Sequence, residues 1–239
     1  MSSLPFPGAV GITHLRVYDT ETPDGLVGGS PHVHLLSAEA YIPIAGLGEV
    51  HTFSRDGFRK QVLQPGGIVW FEPGVIHRLI NRSGDLELLV VMQNAGLPEA
   101  GDAVFTFPSL IMESPESYRT SSALPEGSLE ERVKAATRRR DLAIEGFLEL
   151  MAAPDPVEAL EQFYGRSIGL REDRFERWSE LISAGPESEW RRTQQQLAEL
   201  SNGETSMLGN ARLASIGSES GEPIVGMCGL LRQFIPAAR

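Results

Sequence analysis

The chain has 239 residues, 41% hydrophobic and 22% charged, with a formal charge of −11. That length holds one large domain or two modest ones around a buried core. The acidic balance argues against nucleic acid as a partner, because phosphate binding needs clustered Lys and Arg, and no apolar run is long enough to span a bilayer.

Glycine (25) and proline (16) are numerous enough to favour a turn-rich β architecture over a helical bundle. The single cysteine, Cys228, excludes an internal disulfide and sits in an apolar Gly-Met-Cys-Gly-Leu-Leu run that suggests an inert, buried thiol. The N-terminal residues carry no basic side chain before Arg16 and contain two prolines, unlike a secretory signal. A cytoplasmic protein is expected.

Residues 1–113 read as short strands separated by turns. Ile12 to Tyr18 is β-rich, and Pro23-Asp24-Gly25 and Gly28-Gly29 break the chain after it. Strands follow over Glu39 to Ile44 and Glu49 to Phe53. Arg55-Asp56-Gly57 marks a hairpin before Phe58 to Leu63. Further strands are expected over Ile68 to Phe71, His77 to Ile80 and Leu86 to Gln93. Near-even spacing without helical pattern predicts an antiparallel sandwich or barrel.

Residues 114–127, rich in Ser, Pro and Glu, read as a linker, and residues 128–239 as a helical region with a weakly patterned tail. Ser128-Leu-Glu-Glu131 is a capping box opening a helix whose apolar stripe runs through Leu129, Val133, Ala136, Ala143, Phe147 and Leu150. Asp155-Pro156 starts a second helix, striped by Leu160, Phe163 and Tyr164. Phe175, Trp178, Leu181 and Ile182 mark a third. A fourth opens at Pro186 and is expected to bury Trp190, Leu197 and Leu200. Such stripes read as core, and a homodimer built through the helical half is compatible with them. Arg138-Arg139-Arg140 reads as a solvated helix face, with an anion site as the lesser alternative.

Three of the five histidines fall in two short stretches, Pro31-His32-Val-His34-Leu-Leu-Ser-Ala-Glu39 and Pro73-Gly74-Val-Ile-His77-Arg-Leu-Ile-Asn81. His32 and His34 are two apart, so in a strand they share a face. Glu39 has the wrong parity for one unbroken strand. A turn through Leu35 to Ala38 restores it, bringing Glu39 back on a neighbouring strand. Three imidazoles and a carboxylate suit a first-row transition metal, without choosing among iron, manganese, zinc, nickel and copper. The bland alternative is a metal-free barrel whose polar residues pair with one another.

These stretches resemble the paired motifs of the cupin superfamily, small double-stranded β-helix (jelly-roll) barrels. His32, His34, Glu39 and Gly46 match the first motif, and Gly66, Gly74, His77 and Asn81 the second. The expected motif proline is displaced to Pro73, and Leu26 stands where a glycine is expected six residues before His32. Pro43, inside a strand, is a further departure. The resemblance covers residues 10–108 and implies a cupin-type barrel binding a divalent metal through His32, His34, Glu39 and His77. It implies a metal-dependent enzyme on a small-molecule substrate, a dioxygenase ahead of an isomerase. The alternative is a non-catalytic small-molecule binder or sensor, with the helical half used for assembly.

Around these ligands, Tyr41 should share the inward face of Glu39, lining a pocket or filling core. Asn81 should hold a loop by hydrogen bonds. Gln93 and Asn94 either reach substrate or cap a turn. His14 is expected in solvent, and His51 on the surface, with support of a metal ligand as its lesser alternative.

Overall fold

Alternation of apolar and polar side chains, cut by glycine turns, organises the first hundred residues into nine strands in the computed structural model, which describes residues 6–215 and 222–234. They are β1 (Gly11–Val17), β2 (His32–His34), β3 (Glu39–Ala45), β4 (Gly48–Ser54), β5 (Gly57–Leu63), β6 (Val69–Phe71), β7 (Ile76–Asn81), β8 (Glu87–Met92) and β9 (Ala103–Phe105). The helices that follow are α1 (Ser109–Met112), α2 (Pro115–Ser122), α3 (Leu129–Met151), α4 (Pro156–Gly169), α5 (Phe175–Ile182), α6 (Ser188–Ser201) and α7 (Ser206–Gly209). Two strands close the described chain: β10 (Ile224–Val225) and β11 (Gly229–Gln233).

One sheet runs β10-β11-β1-β8-β3-β6 and the other β5-β4-β7-β2-β9, with all pairs antiparallel. Strands β1, β3, β6 and β8 thus lie in one sheet and β2, β4, β5 and β7 in the other. The chain winds back and forth between two facing layers, as a double-stranded β-helix does. The β4–β5 hairpin turns on Arg55-Asp56, with Gly57 at φ 85° relieving the bend. Pro43 is accommodated because β6 pairs only with residues 39–41, leaving one flank of β3 without a ladder there, and the register shifts just beyond it.

Between the sheets lies an apolar core including Leu15, Val17, Tyr41, Val50, Leu79, Leu88 and Val90. A second core lies outside the five-stranded sheet, where Val33, Phe53, Ile76, Val104 and Phe105 pack on Phe147, Leu150, Leu160 and Phe163 of α3 and α4. Strand β7 is therefore buried at every position: one face looks into the barrel, the other under the helices. Each large apolar side chain so covered contributes about 1.5–3 kcal/mol. The helical half backs the sheet that carries the three clustered histidines.

The capping box forms as read, with Ser128 and Glu131 bonding reciprocally, and Asp155 caps α4. Several expectations are corrected. Residues 115–122, read as linker, form α2, capped by Ser114, and bury Tyr118, whose hydroxyl accepts the Phe105 N–H. The tail of the helical region, too weakly patterned to read from sequence, returns β10 and β11 to the barrel, β11 pairing with β1; residues 216–221 and 235–239 lie outside the described residues. Arg140 is not solvated: it is fully buried and donates to the carbonyls of Thr20, Glu21 and Gly28. Arg139 lies over the Phe105 ring and donates to the carbonyls of Ser122 and Gly226. On α6, Trp190, Leu197 and Leu200 are exposed, not buried, and a π-helical turn over Ser183–Glu187 holds Pro186.

Candidate metal centre

Strand alternation puts His32 and His34 on the inner face of β2 while Val33 points outward into the helix-covered core. His77 on β7 is the direct cross-strand partner of His32. Glu39 opens β3 after the turn at 35–38. Contrary to the reading of a neighbouring strand, it sits in the opposite sheet and faces the histidines across the interior. One ligand atom from each of the four residues falls within 4.8 Å of all the others, and all four residues are buried.

The Nε2 atoms of His32 and His77 are 3.1 Å apart, and Glu39 Oε2 is 3.0 Å from His77 Nε2 and 3.7 Å from His34 Nε2. Adjacent donors about 2.1 Å from one ion stand about 3.0 Å apart in an octahedral shell and about 3.4 Å apart in a tetrahedral one. The other ring nitrogens are committed. His32 Nδ1 meets Ser30 O at 3.0 Å and His77 Nδ1 meets Val75 O at 2.9 Å. Carbonyl oxygens only accept, so both Nδ1 atoms carry protons. In neutral rings the two Nε2 atoms therefore present lone pairs to each other, and Glu39 Oε2 is buried with no hydrogen-bond partner. A proton satisfies one such contact; a metal ion satisfies all four donors together. The residues fit the metal that the sequence resemblance implies.

Burial, aided by neighbouring His77 and His34, pushes His32 well below its ordinary pKa. Burial opposes charge on Glu39 too, but His77 and His34 outweigh it and hold the carboxyl below its usual range. Burial likewise lowers His34, but the Asp102 carboxylate outweighs it, and the net shift is upward. The Asp102 Oδ1 accepts from His34 Nδ1 at 2.8 Å. Sequence reading missed Asp102, a lone acid before a three-residue strand with no spacing signal to the motifs.

Of the other anticipated residues, Tyr41 is inward and buried, with its ring edge-on to Phe71. Phe71 lies 4.4 Å from the His77 ring. Asn81 braces a loop: its Nδ2 donates to Val17 O, and its Oδ1 accepts the N–H groups of Gly84 and Leu86. Gln93 is exposed and accepts the Ala38 N–H, closing the turn that leads into Glu39. His14 is partly buried and paired with Glu87, not free in solvent. His51, expected on the surface, is 4% exposed, bonded to Glu49 and edge-on to Phe58.

A cleft of about 1000 Å³ opens between the barrel and α4–α5, lined by Leu35, Val75, Ile168, Phe175, Trp178 and Ile182 among others. None of the four clustered residues lines it, although Leu35 follows His34 directly and Val75 lies two residues before His77.

Strand order and the inward cluster define a double-stranded β-helix carrying a candidate metal centre. Comparison with protein-family models finds no match, and comparison with curated proteins finds none. Among solved structures, 35% of this chain is similar to 63% of an uncharacterized conserved protein with a double-stranded beta-helix domain from Klebsiella pneumoniae (20% identity, TM-score 0.26). A further 33% match covers 57% of WlaRA, a TDP-fucose-3,4-ketoisomerase from Campylobacter jejuni (21% identity, TM-score 0.28). The DMSP lyase DddQ from Ruegeria pomeroyi matches over 35% of this chain and 36% of its own (18% identity, TM-score 0.27). The chain spans less than two thirds of each of these proteins.

Proposed function

We propose that His32, His34, Glu39 and His77 hold one divalent transition-metal ion and that the protein is a metal-dependent enzyme acting on a small molecule. The observation that carries this reading is the convergence of three buried imidazoles and one buried carboxylate, with one donor atom from each within 4.8 Å of the others. A bound ion supplies a Lewis acid with positions left for a small molecule, and iron(II) adds redox chemistry toward dioxygen.

The protein's own groups favour oxygen chemistry over isomerisation. Isomerisation needs a group free to take a proton. Of the groups beside the donors, Asp102 is already engaged by His34 and Ser37, Phe71 carries no proton acceptor, and burial pushes the Tyr41 hydroxyl and the Cys228 thiol well above their ordinary values. What these residues do well is exclude water and orient the ligands. Oxygen uptake by the iron(II)-loaded protein, measured against catechols, thiols and β-diketones, tests the proposal. Turnover with one class supports it.

The second reading is a small-molecule binder or sensor. It is favoured by a large apolar cleft that none of the four donors lines. Tight binding of a panel member with no turnover under any metal would select it.

A further inference from the structure

Besides packing on the back of β2 and β7, the helical half reaches the candidate metal centre through the loop of residues 93–102. Its last residue, Asp102, is fully buried, accepting from His34 Nδ1 at 2.8 Å through Oδ1 and from the Ser37 N–H at 3.0 Å through Oδ2. Its backbone is held as well: Asp102 O accepts the Leu35 N–H, and Asp102 N donates to Leu97 O. The carboxylate therefore grips both ends of the turn that separates His34 from Glu39.

On either side of Asp102 the helical half takes hold of the main chain. Trp178 of α5 donates its indole N–H to Ala100 O at 3.2 Å, and Arg171, just past α4, donates to Ala103 O at 2.8 Å. Trp178 and Leu181 pack on the fully buried Leu97, with Leu35 beside them. Through Nδ1, His32 and His77 rest on backbone carbonyls, whereas His34 leans on a carboxylate. The carboxylates of Glu39 and Asp102 together supply the two negative charges that a divalent cation neutralises, in a place where an unbalanced charge is costly.

We infer that Asp102 is a positioning residue of the metal centre, orienting His34 and balancing the ion's charge, and that Trp178 and Arg171 make the helical half a working part of that centre. This rests on the metal-binding reading above. A carboxylate on the far nitrogen of a ligating histidine fixes its tautomer and strengthens it as a donor, and losing one costs about 10–100-fold in metal affinity.

The test uses the full chain and cobalt(II), with affinity read by chelator competition and ligand geometry by the visible ligand-field spectrum. Asp102→Asn keeps the shape and removes the charge; it should weaken cobalt binding about 10–100-fold and shift the bands. A purely structural Asp102 would leave both unchanged in whatever protein folds. Trp178→Phe keeps the ring, loses the bond to Ala100, and should weaken binding by a smaller factor. Wild-type affinity and spectrum in Asp102→Asn would overturn the inference alone. Unchanged binding in Trp178→Phe would overturn the part given to the helices. Failure of the wild-type protein to bind cobalt would overturn the metal-centre reading itself.

Discussion

His32 and His77 are partners across β2 and β7, with bare ring nitrogens 3.1 Å apart and their outer nitrogens tied to Ser30 and Val75. The backbone ladder fixes the strands and the carbonyls fix the rings, so neither imidazole can turn away without breaking a buried hydrogen bond. The donors are thus held in the arrangement that the proposed metal site requires.

Replacing His77 with Ala removes the donor nearest both His32 and Glu39. Metal content by elemental analysis, in protein purified without added metal, should fall by an order of magnitude or more relative to wild type. Unchanged content would mean that His77 is not a ligand.

The Arg78–Asp24 pair sits on the opposite face of β7 and pins the loop that delivers β2. Arg78 donates to Asp24, Thr22 and Gly29. Burial alone would raise the Asp24 carboxyl, but the bonds from Arg78 and Thr22 prevail, lowering its pKa from 3.8 to about 2. A folded value below the unfolded one means stability that is fully present above the unfolded pKa and drains away as pH falls toward the folded value. Asp24→Asn should cost about 3 kcal/mol at neutral pH by leaving Arg78 uncompensated. Urea unfolding at neutral pH and near pH 3 should show the gap to wild type narrowing in acid.

Gly146 is where α3 crosses the chain after β9. A Cβ there would stand 2.2 Å from Phe107 C and 2.3 Å from Pro108 N. Gly146→Ala gains helix propensity yet should lower stability by about 1–3 kcal/mol through overpacking. A raised melting temperature would contradict this contact.

Cys228 is buried, its sulfur 3.8 Å from Ser30 O, and burial with the nearby Glu39 charge pushes the thiol far up. A thiol reagent at neutral pH should label almost none of the native protein and one equivalent after denaturation. Fast native labelling would place the thiol in solvent.

The barrel was legible because its signals are local. Parity placed His32 and His34 on one face, Asp56-Gly57 placed the hairpin, and motif spacing picked out all four clustered residues. What could not be read depends on distant partners. Charge made Arg139 and Arg140 look solvated, yet they lie where loop carbonyls need donors. The apolar stripe of α6 promised burial, but among the described residues little packs against it. Asp102 carried no spacing to the motifs, because its partner His34 is 68 residues away. The last strands are too short to show a period and acquire their shape only beside β1.

That final pairing has a consequence for how the molecule is made. Residues Thr13 to Val17 lie against Gln233 to Gly229, some of the first and last described residues of the chain. During synthesis one flank of β1 must wait for roughly two hundred further residues, and contacts so far apart in sequence form slowly. Until then Ser30, whose hydroxyl donates to Met227 O and whose carbonyl steadies His32, lacks its brace. A fragment ending before Gly229 would leave Ser30 and one flank of β1 unbraced and should retain metal poorly.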